Sequence, residues 1–235
     1  CSSGTASSVP VSASSAAEST VSSVEETASS AVDENEAAAA QLLNDLTGSY
    51  QELWPVILAD EYKQTWLDDC TALVGEDNAE AAFEKLSSMV TGDVYGEDAV
   101  KAYANGGGAY FCGFTNSLAI LTFDGETSTI SGTDKDGNVL FSHTYHYIGM
   151  EPVRGLYEFQ SDDADSGEFT YFFLAPDTSA ETYHIEFRYG SDAEALSQYD
   201  TGEYAYWLAS GISTDCDQTM IDNCIELFCT ENLAG

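Results

Sequence analysis

The chain has 235 residues, 41 of them acidic and 6 basic, for a formal net charge of −35 at neutral pH. Lys63, Lys85, Lys101, Lys135, Arg154 and Arg188 are its fixed cations, so it has no basic footprint for nucleic acid or anionic lipid headgroups, which are held largely through Lys and Arg. No stretch approaches the ~18 consecutive apolar residues of a membrane span, yet 43% hydrophobic and 12% aromatic content can bury a core.

Residues 1–40 hold 12 Ser, 10 Ala and 6 acids, with no base and no aromatic. Such a segment buries too little apolar surface to offset its ordering entropy, which predicts a disordered tether. A Cys at position one followed by a Ser-rich stretch resembles a mature bacterial lipoprotein, whose signal peptide is removed and whose new N-terminal Cys is lipidated. On that expectation Cys1 is a lipid anchor and the protein sits outside the cytoplasm at the bacterial cell surface. The membrane is then met through that one residue. Random-coil scaling gives the tether a reach of roughly 35 Å.

The folded domain is expected over 41–235. Residues 41–74 read as helix, with Leu42, Leu43, Leu46, Tyr50, Leu53 and Trp54 recurring at three and four and Pro55 marking a break. Further helical patterns cover Trp66 to Val74, Asn78 to Met89 and Gly96 to Tyr103, and Asn105-Gly106-Gly107-Gly108 ends them. Strand grammar follows: Tyr110–Phe114, Leu118–Phe123, Ser128–Gly132, Val139–Ile148, Leu156–Gln160, Glu168–Leu174 and Tyr183–Tyr189. Gly and Asp clusters separate these runs, a pattern that suggests a meander closing into a barrel. Ser191–Ser197 is a short helix, Tyr204–Leu208 an aromatic patch and Thr214–Leu233 a final helix with Thr214-Asp215 as its N-cap.

Most chemical motifs fail on inspection. Asp134-x-Asp136-x-Asn138 starts like a calcium loop, but Gly137 falls at position four instead of six and position twelve is Tyr145; a hairpin turn accounts for it better. No GxSxG elbow is present, and no basic setting would activate a thiol. The chain therefore reads as a binding protein, not an enzyme. Cys70, Cys112, Cys216, Cys224 and Cys229 show no zinc-finger spacing. Cys224 and Cys229 fall on the apolar arc of the final helix as packed thiols. A Cys70–Cys112 bridge is one option among several pairings.

Three histidines remain. His143 and His146 share a strand at odd separation and so face opposite sides. In Thr182–Tyr189, parity puts Tyr183, Ile185, Phe187 and Tyr189 on one face and Thr182, His184, Glu186 and Arg188 on the other. Residues two apart on a strand are about 6.5 Å apart, close enough for His184 and Glu186 to converge on one ion. A satisfied His–Glu–Arg hydrogen-bond cluster is the other reading of the same residues.

From residue 44 to 233 the chain resembles the ZinT (YodA) family of periplasmic or extracellular zinc-binding proteins. Leu46–Pro55 resembles its opening W-x-G-x-W-x-S-x-Y-P stretch, and Tyr145-His146-Tyr147-Ile148-Gly149 its Y-x-Y-x-G strand end. Phe172-Phe173-Leu174-Ala175-Pro176 resembles its D-H-I-I-A-P segment, and His184-Ile185 through Gly190-Ser191-Asp192 its H-F-H-I-x-x-G segment. The resemblance implies a mainly β fold: a lipocalin-like (calycin-type) antiparallel β-barrel with flanking N- and C-terminal α-helices. It also implies zinc capture or hand-off, with a transporter-associated partner. The family's three His ligands are only partly kept. Phe172 stands where one would be. Registering on Gly190 places the other two at His184 and Glu186, whereas registering on His-Ile places them at Thr182 and His184. Both registers retain His184 as the central metal ligand, and the first adds Glu186; His146 or an acid would be the third group. The alternative is a relative without the metal, whose barrel mouth at Phe172 takes a small apolar ligand, or one that binds a protein partner.

Overall fold

The computed structural model describes residues 34–176 and 181–235. Two compact units are distinguished, Cys1–Ala38 and Ala39–Gly235. Cys1 and the expected tether up to residue 33 lie outside the described residues. Helix α1 is described over residues 34–46, so residues 34–40 depart from the expected disorder. Four consecutive alanines at 37–40 explain this, Ala being the best helix former.

The second unit is built on β1 (Gly48–Glu52), β2 (Ile120–Asp124), β3 (Thr129–Thr133), β4 (Val139–Met150), β5 (Tyr157–Ser161), β6 (Tyr171–Leu174), β7 (His184–Gly190) and β8 (Ala209–Ser213). Each strand pairs antiparallel with the next, and β8 pairs back onto β1, giving a closed up-and-down barrel. The fold is thus lipocalin-like and mainly β, with helices at both ends of the unit. Between β1 and β2 lie α2 (Leu53–Ile57), α3 (Lys63–Val74), α4 (Glu76–Val90) and α5 (Glu97–Ala104); α6 (Ala193–Leu196) follows β7 and α7 (Gln218–Leu233) follows β8.

The two strands that close the barrel depart from the sequence expectation. β1 falls inside the stretch that reads as helix, because Tyr50, Leu53 and Trp54 continue the spacing of Leu42, Leu43 and Leu46. Gly48, at φ +138°, breaks the helix, and residues 48–52 then pair with β2 and β8. β8 is Ala-Ser-Gly-Ile-Ser, with one β-branched residue to signal a strand; pairing with β1 and β7 supplies what propensity does not. Conversely, Tyr110–Phe114 is not a barrel strand, and Phe111 makes isolated bridges to Thr91 and Trp207. The N-cap of α7 is Asp217, whose side chain accepts from the Met220 backbone N–H at 2.9 Å, instead of Thr214-Asp215.

Two apolar cores result. Inside the barrel, Phe172 is fully buried, with ring centroids 5.2 Å from Tyr189, 5.5 Å from Tyr145 and 5.7 Å from Phe141. Leu42, Leu43 and Leu46 of α1 join the same core. The helix lies so close to the β2–β3 turn that a Cβ on Gly125 would stand 2.6 Å from the Asn44 backbone nitrogen. Outside the barrel, Trp54, Trp66, Cys70, Ile225 and Phe228 pack with Ile212 of β8 in a second core.

The β3–β4 connection is the expected turn. Asp134 Oδ1 accepts from the backbone N–H groups of Asp136 and Asn138, each at 2.9 Å. Hydrogen bonds from Asn138 hold the Asp134 carboxyl below its ordinary value. Its contribution to the turn is therefore present above the unfolded carboxyl value of about 3.9 and is lost as pH falls through the lower folded value. A carboxyl NMR titration should give Asp134 a midpoint below that of an unstructured peptide, with Asn138→Ala moving it up; a midpoint at or above the peptide's contradicts the turn geometry.

Candidate metal-binding cleft

The alternation of β7 divides its side chains between two environments. Ile185, Phe187 and Tyr189 enter the barrel core. His184, Glu186 and Arg188 point to the outer face, where His184 stands opposite Ile212 and Glu186 opposite Ser210 in the pairing with β8. This is the division that parity predicts. Helix α7 lies against that face, and the His184 ring meets Phe228 edge-on at 5.6 Å.

A cleft of about 540 Å³ separates the His184 end of β7 from α7. His184, Glu181 and Glu186 line one wall, and Glu226, Thr230 and Glu231 of α7 line the other. His184 is buried, and its Nδ1 lies 2.7 Å from the Thr182 hydroxyl oxygen. Fixing one ring nitrogen orients the imidazole, as outer partners of metal-bound histidines do. The polar side of α7 had a sequence signal: Asn223, Glu226 and Thr230 recur at three and four, opposite the apolar arc of Ile221, Ile225 and Phe228, and Glu226 is the acid among them.

The electrostatics of this wall are one-sided. Burial first, then the charges of Glu226 and Asp222, hold the Asp69 carboxyl of α3 above its ordinary value. Burial pushes the Cys112 thiol up to about 12, with the charge of Glu186 acting in the same direction. That thiol stays protonated at neutral pH and is a poor metal ligand in this state. Among the described residues, no three of His, Cys, Asp and Glu stand close enough together to hold an ion.

Of the two options for a third group, His146 is too far away whereas acids share the cleft, and the expected His–Glu–Arg cluster does not form through Arg188. His146 Nδ1 pairs with Asp162 at 2.5 Å on β4, three strands away from β7, and His143 Nδ1 pairs with Asp163 at 2.6 Å. Arg188 turns away from His184 and Glu186. Its guanidinium donates to the carbonyl oxygens of Trp207 and Gln198, each at 3.0 Å, and to those of Leu196 and Tyr204. Burial lowers its pKa to about 10, which leaves it charged at neutral pH. It also sits 4.4 Å over the Tyr199 ring, whose hydroxyl donates to the buried Glu151 at 2.8 Å.

Phe172, which stands where the resemblance places the family's third ligand, lies on the other face of the wall. It pairs with Tyr189 across β6 and β7 and shares that residue's inner face. His184 and Glu186 are on the outer face of the same wall, so one ion cannot be bound by all three positions. The apolar-ligand alternative fails at the same residue, because the ring stack fills the barrel around Phe172. Neither Phe172, Tyr171 nor Tyr183 lines any of the cavities described.

No protein-family model matches the chain, and no curated protein sequence matches it. Among solved structures it is similar to the Zn(II)-bound ZinT-like domain of Streptococcus pneumoniae AdcA. Identity is 15% and the TM-score 0.47, covering 77% of this chain and 87% of that one. It is also similar to Zn(II)-bound AdcA from the same organism, at 13% identity and a TM-score of 0.45, covering 78% of this chain and 34% of that longer one.

The opposed faces make a direct prediction. Phe172→His should lower stability by at least about 2 kcal/mol, through lost packing and a buried unsatisfied ring nitrogen. It should add no ligand to the outer cleft. Urea unfolding and zinc titration of the variant check this, and a gain in zinc affinity contradicts the geometry.

Proposed function

We propose that the protein is a non-enzymatic zinc-binding protein that captures the ion in the cleft between β7 and α7. His184 is the central ligand and Glu186 the second. Supporting this is one observation above the rest: an oriented, buried imidazole shares a concave site with four carboxylates, those of Glu181, Glu186, Glu226 and Glu231. Imidazole with carboxylate oxygen is a donor set that suits zinc, and four carboxylates lining one cleft favour a cation there. Since no three donors among the described residues stand close enough together to hold an ion, closing the site takes side-chain rotation by a carboxylate of α7. A site that must close around its ion binds more weakly than a preformed structural one, which suits capture followed by hand-off to a transporter-associated protein.

Calorimetric titration of the metal-stripped chain with zinc should give a saturable one-to-one isotherm with a Kd of about 10 µM or tighter. His184→Ala should abolish it and Glu186→Gln weaken it about tenfold or more. His146→Ala should leave it unchanged, since His146 belongs to an exposed pair with Asp162. Heat that persists in His184→Ala contradicts the assignment.

A further inference from the structure

We infer that Cys70 and Cys229 form a disulfide that ties α3 to α7. The two sulfurs lie 4.0 Å apart, and both residues are completely buried in the outer core. A disulfide needs about 2.05 Å between sulfurs, a gap that side-chain rotation of two facing cysteines covers. Two of the three other described thiols lie against backbone carbonyl oxygens. Cys112 Sγ lies 4.0 Å from the Tyr110 carbonyl oxygen, and Cys224 Sγ lies 3.5 Å from the Thr182 carbonyl oxygen. The Cys70–Cys112 option is therefore replaced by a partner 159 positions along the chain.

The place of the bond explains its use. Asp69, next to Cys70, faces Glu226 and Asp222 of α7, and burial together with these like charges raises its pKa. Helix α7 carries one wall of the cleft on its polar side and Cys229 on its apolar side. A covalent tie holds α7 against α3 despite that repulsion. Because it closes a long loop, it removes much of the freedom of the unfolded chain. The inference does not depend on zinc binding.

The reaction is thiol–disulfide exchange with a low-molecular-weight disulfide. The Cys70 thiolate attacks the oxidant's S–S bond and releases one thiol. The Cys229 thiolate then displaces the second, so two protein thiols become one disulfide and one oxidant disulfide becomes two thiols. Burial raises both protein thiols, so the exchange takes place while the chain folds and the sulfurs are still exposed.

The test is to refold the full reduced chain with oxidised glutathione, alkylate the remaining thiols in denaturant, digest, and map the linkages by mass spectrometry. The expected result is a Cys70–Cys229 cross-linked peptide. The urea midpoint should be higher than that of the reduced chain, and in Cys229→Ser it should no longer respond to reductant. Free Cys70 and Cys229 after refolding, a different partner for either, or equal midpoints for oxidised and reduced chain each overturn the inference.

Discussion

The period-two alternation of β7 is the constraint on which the rest of the structure depends. The strand is buried on both sides, and its two faces are chemically opposite. Once Ile185, Phe187 and Tyr189 are committed to the barrel, the imidazole, carboxylate and guanidinium of His184, Glu186 and Arg188 must lie outside it. A one-residue slip would put a cation inside a stack of aromatic rings. Everything that covers the outer face is an answer to having polar groups there.

The answers differ along the strand. At the Arg188 end, the chain from residue 196 to 207 wraps round the guanidinium and offers carbonyl oxygens instead of a directly bonded carboxylate. Tyr199 then links this cation to the buried Glu151, the guanidinium lying over its ring and the carboxyl accepting from its hydroxyl. Removing the guanidinium would leave these buried carbonyl oxygens unsatisfied, at about 1–3 kcal/mol each, so it anchors β7 firmly. At the His184 end the cover is incomplete. Helix α7 seals the apolar part with Phe228 and leaves an acid-lined cleft beside the imidazole. One strand thus carries a locked structural cation and, four positions away, an imidazole beside a cleft.

How much of this was legible in the sequence follows from which signals are local. The facing of β7 could be read from eight residues, because alternation is a property of the strand itself. The Asp134–Asn138 turn could be read for the same reason. The strands that close the barrel could not, because β1 carries helical spacing across Gly48 and β8 has almost no strand propensity. Both depend on the pairing of β1 with β8, whose residues lie about 160 positions apart in the chain. The site was half legible. His184 and Glu186 were visible as a pair, but the opposite wall comes from α7 and needs the closed fold to bring it there. Phe172, expected where the family has a third ligand, faces the barrel interior, because similarity of segments does not say which face of the wall a position occupies.

The central claim is that the binding site lies outside the barrel, between β7 and α7. Anomalous diffraction at the zinc edge, from crystals of the full chain grown with zinc, tests it most directly. The account predicts an anomalous peak within ligand distance of the His184 imidazole, with a carboxylate of Glu186 or of α7 beside it. A peak inside the barrel, or one held by surface acids away from His184, would contradict it.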